Sequence, residues 1–322
     1  MRDFLDYYYG IQPLDVTEWN GAEGFKDDNY IYFTISCDQK EIIHMEQAAL
    51  AYFLYENDYS QMTIPLPNNQ NEWYTLYNEK YYLVLCAEKT PPVKQNSQGE
   101  QLAVLHAIGA GYPYEPQTIS SYGQWRPLWI EKMAAFEEKI QLEARELPNN
   151  YYRLLMDSLP YITGLSENAI QYMQESESES RFHEADQGTI VFTRYHGQLN
   201  QHFLWMTDLA FDHPARDLAE LIRYKLLEKE DPVDEICAFL DDYQKVVPLS
   251  IFGWRLLYAR LLYPIHLYDI IGRGFLTRQH GMYDELKDML ERQTQYEKRM
   301  RYFFENAGVD SEKLQIPVLH WL

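Results

Sequence analysis

Hydrophobic residues in the first 87 positions follow two different spacings. The runs YIYFTISC at 30–37, WYTLY at 73–77 and YYLVLCA at 81–87 are rich in β-branched and aromatic residues, a composition typical of strands. The last two runs flank the short segment 78–79, so they are predicted to form a hairpin. Residues 41–56 instead carry apolar side chains at helical spacing, which predicts one long amphipathic helix.

Beyond residue 99 the apolar spacing is mostly that of helices. The predicted helices cover residues 99–111, 124–145, 149–174 (as two short helices around Pro160), 233–246, 248–271 and 282–306. Pro264 is predicted to kink the helix over 248–271, because proline lacks an N–H donor and clashes with the preceding turn. One pair of strand-like runs, between residues 186 and 223, interrupts this helical region.

The segment EKTPPVKQNSQG at residues 88–99 separates the two regions. Two consecutive prolines, polar residues and glycine are typical of a linker. We therefore predict an α+β chain with two domains. Residues 1–88 form an N-terminal lobe, a β-sheet plus one long helix, and residues 89–322 form a helical lobe that contains one β-hairpin. This is the outline of a bilobal protein-kinase-like fold.

Composition and charge narrow the classes of partner. The formal net charge is −21 and the isoelectric point about 4.8, and a generally acidic surface repels phosphate backbones, so nucleic acid is not an expected partner. Three scattered cysteines are too few for a disulfide framework or a zinc ribbon. The most apolar helix, 248–271, carries Arg255 and Arg260, which favours a buried helix over a membrane span. The charged N-terminus gives no sign of a signal peptide.

Residues 186–223 hold the candidate chemistry. The strand-like run TIVF is followed by a polar loop, a second strand-like run, Asp208 and then DHPARDLAELIR, an amphipathic helix pattern. That order matches the catalytic hairpin of a small-molecule kinase. Phosphoryl transfer requires a loop over the phosphates, a cation, oxygen ligands for Mg²⁺ and a carboxylate that accepts the hydroxyl proton.

Three stretches carry a family resemblance. LAVLHAIGAGYP at 102–113 resembles a helix of choline-kinase and aminoglycoside-phosphotransferase relatives. LPYITGLSENAIQYMQE at 159–175 and DHPARDLAELIR at 212–223 resemble the CotS/YutH-like, spore-coat-associated branch of that superfamily, found in endospore-forming Bacillus relatives. The resemblance runs along the whole chain and is weakest in residues 1–60. It implies a kinase-like fold and association with the spore coat.

The phosphate loop and its cation are poorly matched. The glycine-containing loop predicted at GAEG, residues 21–24, is weak evidence for a phosphate loop, because any tight turn would use such glycines, and an ordinary turn is the favoured interpretation. The strand predicted over 30–37 contains no lysine, although a kinase needs one there. Glu41 and Glu46 on the following helix therefore have no strand lysine to pair with. Both are predicted to lie on a solvated helix face.

The proton acceptor is missing in either of two alignments of the loop. If Phe192-Thr193-Arg194 takes the position of the catalytic triplet, Arg194 replaces the aspartate; if His196-Gly197-Gln198 does, Gln198 replaces it. Arginine is permanently cationic and a glutamine amide has no useful basicity. The first alignment is preferred, because the second leaves only nine residues before Asp208 for a loop, a turn and a returning strand.

The candidate metal ligands and the residues that support the loop match the kinase pattern better than the phosphate loop and the proton acceptor do. Asp208, predicted to end the second strand, and Asn200 in the loop could hold Mg²⁺ with waters. Asp212 or His213 is predicted as the N-cap of the next helix and Pro214 as its first residue, where the missing N–H costs nothing. By the resemblance, Asp217 braces the catalytic loop, a structural role that would survive the loss of catalysis.

The resulting hypothesis is a spore-coat-associated pseudokinase that acts in coat assembly, with spore coat proteins as partners and no cofactor. It would be made in the cytoplasm and then associate with the coat. The alternative is a phosphotransferase that uses ATP and Mg²⁺ on a cationic or amino-sugar-like small molecule, with Asp208 and Asn200 as metal ligands.

Overall fold

A computed structural model describes residues 1–19, 21–37, 40–89, 96–179, 181–276 and 282–319. The chain divides into two compact units. The first comprises Met1–Ser120 and Gly188–Asp212, and the second Ser121–Gln187 and His213–Leu322. The domain boundary after residue 88 stays a prediction. Residues 90–95, which belong to the predicted linker, lie outside the described residues. By spatial contacts, the hairpin region groups with the N-terminal sheet.

A six-stranded antiparallel sheet forms the body of the first unit. Its strands are β1 (Asp15–Trp19), β2 (Ala22–Lys26), β3 (Tyr30–Ser36), β4 (Ile64–Leu66), β5 (Tyr74–Tyr77) and β6 (Lys80–Glu88). The order is β1-β2-β3-β6-β4, with β5 also paired to β6. The predicted β5–β6 hairpin is confirmed; Asn78 and Glu79 in its turn have φ of 49° and 65°, as a two-residue type I′ turn requires.

The segment around Gly24 was predicted as a loop, and that prediction is wrong. Residues 22–26 form β2, which pairs with both β1 and β3. A Cβ atom on Gly24 would lie 2.8 Å from the ring of Phe33 and 3.1 Å from Thr17, so the glycine allows three strands to pack closely. Gly21, with φ of 79°, serves the β1–β2 turn. Both glycines therefore have a structural reason to be glycine.

Three helices complete this unit together with a second hairpin. They are α1 (Arg2–Tyr9), α2 (Glu41–Glu56) and α3 (Gln98–Gly109), and the hairpin consists of β7 (Thr189–Phe192) and β8 (Leu209–Asp212). Helix α1 places Phe4 and Leu5 on sheet residues such as Phe25 and Val84. Helix α3 lies so close to β7 that a Cβ on Gly109 would be 2.7 Å from the backbone nitrogen of Ile190.

The second unit is helical. Its helices are α4 (Trp125–Glu146), α5 (Asn150–Ser178), α6 (Ala215–Glu228), α7 (Val233–Gln244), α8 (Ile251–Leu262), α9 (Ile265–Leu276), α10 (Met282–Arg301) and α11 (Phe303–Asn306). Helix α8 packs against both α5 and α6, and α4 packs on α5. Within the described ranges, no helix is long and apolar enough to cross a bilayer.

The two prolines in predicted helices behave in opposite ways, and both predictions were wrong. Pro160 lies inside the continuous helix α5, which also extends into the acidic segment after residue 174. Buried residues on either side of the proline, including Leu155 and Ile162, hold both halves in one packed stripe. Pro264 instead ends α8, because Tyr263 before it is extended with ψ of 120°, the conformation favoured ahead of proline. The predicted kinked helix is therefore two helices.

Candidate functional site

The loop after β7 contains the two positions at which a catalytic carboxylate was sought. Gln198 is 2% exposed; its Oε1 accepts from the backbone N–H of His196 at 2.8 Å, and its Nε2 donates to the carbonyl of Arg194 at 2.6 Å. The Gln198 side chain thus stabilises the turn of residues 194–198 by hydrogen bonds to its backbone. Gly197, with φ of 103°, adopts the left-handed conformation that this turn needs.

Arg194 was favoured over Gln198 because a returning strand was expected between Gln198 and Asp208. In the described structure that stretch contains 3-10 turns at Gln198–Asn200 and Met206–Asp208 and no named strand. Strand β8 begins only at Leu209. The length objection therefore fails, and which of the two residues takes the position of the missing aspartate stays a prediction.

Asp208 was predicted to end the second strand, and that prediction is wrong. Asp208 closes the turn Met206–Asp208 immediately before β8, and its carbonyl accepts from the backbone N–H of Thr193 at 2.7 Å. Asp212 is the residue that ends β8. Burial raises the pKa of the Asp208 carboxyl, and the electrostatic influence of His196 opposes that rise.

A helix side chain fixes the backbone on both sides of Asp208. The side-chain Nε2 of Gln47, on α2, donates to the carbonyl of Thr207 at 2.9 Å and to that of Leu209 at 3.0 Å. Gln47 is 4% exposed. Sequence reasoning missed this residue, because a glutamine within an apolar helix face does not reveal which distant backbone it serves.

Glu46, the neighbour of Gln47, was predicted to face solvent, and that prediction is wrong. Its carboxylate accepts hydrogen bonds from the backbone N–H groups of Gln117 (2.8 Å), Thr118 (2.9 Å) and Ile119 (3.0 Å). In a protein kinase a glutamate of this helix pairs with the strand lysine, but β3 contains no lysine. In this chain, the Glu46 carboxylate is engaged by three successive backbone amides.

The basic residues around β3 do not replace the strand lysine. Lys26, at the end of β2, forms an ion pair with Asp15 at 3.1 Å. Lys40 lies before α2 and is exposed. Asn200, the second predicted metal ligand, is exposed at the end of its turn, where its backbone N–H donates to Gly197. Among the described residues, no group of three His, Cys, Asp or Glu side chains could hold a metal ion.

Aromatic rings fill the space between the sheet and the loop that precedes Asp208. We call them the aromatic plug: Trp19, Phe33, His202, Phe203 and Trp205. The imidazole of His202 stacks on the indole of Trp19, with centroids 4.7 Å apart and planes 12° apart. Phe33 contacts the ring of Phe203 at 5.7 Å and that of Trp205 at 4.6 Å.

Within the described residues of the first unit, β3 lacks the lysine with which a kinase holds the phosphates of ATP. Glu46 of α2 is engaged by backbone amides. The aromatic plug lies against β1 and β3, beside the turn that would cover the phosphates. The expectation that no nucleotide serves as a cofactor stays a prediction.

The start of α6 belongs to the second unit and differs slightly from its prediction. The helix begins at Ala215, and Pro214, at the N-cap position with φ of −52°, precedes it. The capping acceptor is Nδ1 of His213, which accepts from the backbone N–H of Ala215 at 3.0 Å. Asp212 is therefore not the N-cap. Asp217 is fully buried in α6, and its charge adds to the burial that raises the pKa of Tyr243; its bracing role stays a prediction.

His213 also joins a buried network that contains the residue types of a hydrolase triad. Its Nε2 lies 3.3 Å from Asp186, whose carboxylate accepts from the hydroxyl of Ser250 at 2.7 Å and from the backbone N–H of His183 at 2.7 Å. Because an N–H of Ala215 can only donate, Nδ1 is an acceptor and the ring proton faces Asp186. Both nitrogens are engaged and the serine donates to the aspartate, so the arrangement braces helix starts and cannot activate a nucleophile.

Comparisons with known proteins agree on the fold. The model of the family described as "Spore coat putative kinase YutH" matches residues 2–304. The "Endospore coat-associated protein YutH" of Bacillus subtilis (strain 168) is 32% identical, over 98% of this chain and 96% of that protein. An aminoglycoside phosphotransferase from Alicyclobacillus acidocaldarius has a TM-score of 0.62 at 12% identity, covering 94% of this chain and 93% of its own.

A second solved structure, amicoumacin kinase in complex with AMP-PNP, Ca²⁺ and Ami, has a TM-score of 0.56 at 14% identity and covers 92% of both chains. Identities this low establish a shared fold and nothing about the reaction. The predicted α+β, kinase-like fold class is thereby confirmed.

Proposed function

We propose that this chain, which belongs to the YutH family of kinase-like spore-coat proteins, acts in assembly of the spore coat without transferring phosphate. The family resemblance predicted from residues 102–113, 159–175 and 212–223 is confirmed. Within the proposal, the chain is made in the cytoplasm, associates with the coat, and binds other coat proteins. Support for that location comes from the name of the Bacillus subtilis relative, an endospore coat-associated protein.

The observation that carries the proposal is the environment of Glu46. In an active kinase, an ion pair between a glutamate of this helix and the strand lysine positions the cation on the nucleotide phosphates. Here the Glu46 carboxylate accepts from three consecutive backbone N–H groups at 2.8–3.0 Å, and residues 30–37 contain no lysine. Glu46 thus anchors the segment 117–119.

The two candidate positions for a proton acceptor support the same proposal. Arg194 cannot act as a base, because its guanidinium stays protonated. The amide of Gln198 has no useful basicity, and both ends of it are hydrogen-bonded within its own loop. Neither residue could take the proton of an attacking hydroxyl in the way that a catalytic aspartate does.

Genetic replacement in sporulating cells tests the proposal. The gene is replaced by an allele encoding Asp208→Asn, which removes the carboxylate predicted as a metal ligand while keeping its shape. We expect this allele to assemble a coat with the same protein composition and lysozyme resistance as wild type. An Arg216→Ala allele, which removes the hydrogen bond from Arg216 to the hydroxyl of Ser121, controls for a general effect of substitution.

A deletion strain sets the scale of the coat defect, and immunoblots of coat extracts measure the amount of each variant. Normal levels of the Asp208→Asn protein together with the coat defect of the deletion would contradict the proposal. Wild-type protein found outside the coat fraction would contradict the proposed location.

A further inference from the structure

The aromatic plug joins β1 and β3 to the loop before Asp208. In kinases the phosphates lie beneath the glycine-containing turn between the first two strands, and an aspartate holds the metal. Trp19 is the last residue of β1 before that turn, Phe33 lies in β3, and Trp205 is three residues before Asp208. The plug is therefore bordered by the elements that would surround a bound nucleotide.

His202 makes the two kinds of contact by which proteins hold a nucleic acid base. Bases stack on aromatic side chains and form hydrogen bonds at their edges. The imidazole is stacked on Trp19 at 4.7 Å, and its Nε2 lies 3.0 Å from the carbonyl oxygen of Lys89, the residue after β6. Phe203 adds an edge-on contact to the same indole at 5.1 Å.

The segment that bears these rings is fastened along its backbone. The N–H of Leu204 donates to the carbonyl of Gln61 at 2.8 Å, and the N–H of Thr63 donates to the carbonyl of Leu204 at 2.8 Å. The N–H of Met206 donates to Oγ1 of Thr63 at 2.9 Å. Phe203 is 3% exposed, so a ligand could not displace the plug without breaking this pairing and exposing buried rings.

We propose that His202 and Phe203 are a built-in substitute for a nucleotide base, and that they close the first unit to adenine nucleotides. The inference deepens the proposed function and rests on it, since it names the residues that would exclude a nucleotide from the kinase-like fold. It also defines the chemistry of the covered site. If the ring of His202 is removed, the exposed face of Trp19 and the carbonyl of Lys89 should accept a flat heteroaromatic base.

Adenine binding to purified full-length variants tests the inference. His202→Ala opens the stacking position, His202→Leu fills it with a side chain that cannot stack or donate, and Gln201→Ala changes the neighbouring residue of the same loop. Thermal shift and equilibrium dialysis measure binding of adenine and of Mg-ADP. We expect His202→Ala to bind adenine at least about tenfold more tightly than wild type, a factor that follows from one recovered base contact.

Wild type, His202→Leu and Gln201→Ala should bind neither probe at concentrations up to about 1 mM. Equal adenine binding by wild type and His202→Ala would overturn the inference. A His202→Ala protein that is folded, as judged by far-UV circular dichroism, but does not bind adenine would also overturn it. If that variant does not fold, the measurement on the wild-type protein is used instead. Binding of Mg-ADP by wild type would overturn the inference, and the absence of binding would support it. A wild type that binds Mg-ADP but transfers no phosphate refutes the plug and leaves the proposed function standing.

Discussion

The carboxylate of Glu46 accepts a hydrogen bond from the backbone N–H of Thr118 at 2.9 Å, across 72 residues of sequence. The N–H groups of Gln117 and Ile119 add to it, and the carbonyl of Ile119 in turn accepts from the N–H of Phe211 in β8. Helix α2 is thus connected through one segment to the hairpin that carries Asp208. A carboxylate that anchors structure in this way is not available to position a lysine.

Replacement of Glu46 should destabilise the protein. Hydrogen bonds to a charged group contribute about 1.5–3 kcal/mol each in favourable cases, and Glu46 is half-buried. We expect Glu46→Ala to lower the free energy of unfolding by about 3 kcal/mol, measured by urea denaturation. Glu41→Ala, on the same helix but exposed, should change it by less than about 0.5 kcal/mol. Equal effects of the two substitutions would show that the amide contacts do not stabilise the fold.

Two helix glycines should respond to alanine with opposite sign. A Cβ on Gly109 would lie 2.5 Å from Oγ1 of Thr189 and 2.7 Å from the backbone nitrogen of Ile190, whereas a Cβ on Gly164 meets nothing within 4 Å. Gly109→Ala should destabilise by about 1–3 kcal/mol through overpacking. Gly164→Ala should stabilise by about 0.5–1 kcal/mol, since alanine is the better helix former. Thermal denaturation of the pair measures both, and a stabilising Gly109→Ala would contradict the close approach of α3 to β7.

Acidification should remove the contribution of Asp186. Burial by itself would raise the pKa of this carboxyl, but the hydrogen bonds from His213, Ser250 and the backbone of His183 outweigh it and lower the pKa. A depressed folded-state pKa gives stability that is present above the unfolded value of about 3.9 and is lost as the pH falls through the folded-state value.

Asp186→Asn should therefore lower the free energy of unfolding by about 2–3 kcal/mol at pH 7, with a difference from wild type that shrinks below about pH 4. Urea titrations at neutral and acidic pH measure this difference. Asp15→Asn, at a side chain that is 63% exposed, is the control and should show little change. A difference for Asp186→Asn that is independent of pH would contradict a buried, ionised carboxylate.

His266 should give a second, separate pH dependence. Burial and then the charge of Arg223 lower its pKa to about 3, against the hydrogen bond to Gln293. The unfolded chain takes up this proton near pH 6.5 and the folded chain does not, so stability falls as the pH drops from about 6.5 towards the folded value. His266→Gln should flatten the curve of unfolding free energy between about pH 6.5 and 4. Part of the slope should remain, because burial also lowers the pKa of His44. A curve that His266→Gln leaves unchanged would contradict the assignment to His266.

Local patterns were sufficient for much of the fold. Helix α2 follows from apolar spacing, and the β5–β6 hairpin from β-branched runs that flank a two-residue turn. Prolines were harder to interpret, because packing on both sides of Pro160 overrides its missing donor, whereas the backbone of Tyr263 is extended ahead of Pro264 and ends the helix. Gly24 was assigned to a loop because the need for close strand packing is invisible without the neighbouring strands.

The candidate site was predicted least well where it depends on contacts distant in sequence. Nothing near Glu46 or Gln47 in the chain indicates that they bind the backbones of residues 117–119 and 207–209. Strand propensity in the run after Asn200 suggested a returning strand, but those residues supply the rings of the plug, and the strand begins after Asp208. Residue types that are missing, such as the strand lysine, were by contrast evident from the sequence alone.

Phosphate transfer itself is the most direct test of the account. Purified full-length protein is incubated with radiolabelled ATP and Mg²⁺, alone and with amine- and hydroxyl-bearing acceptors, and labelled phosphate and labelled products are counted. The account predicts that wild type and Asp208→Asn give the same rate, equal to that of buffer. Turnover by wild type that Asp208→Asn abolishes would contradict it and establish a phosphotransferase.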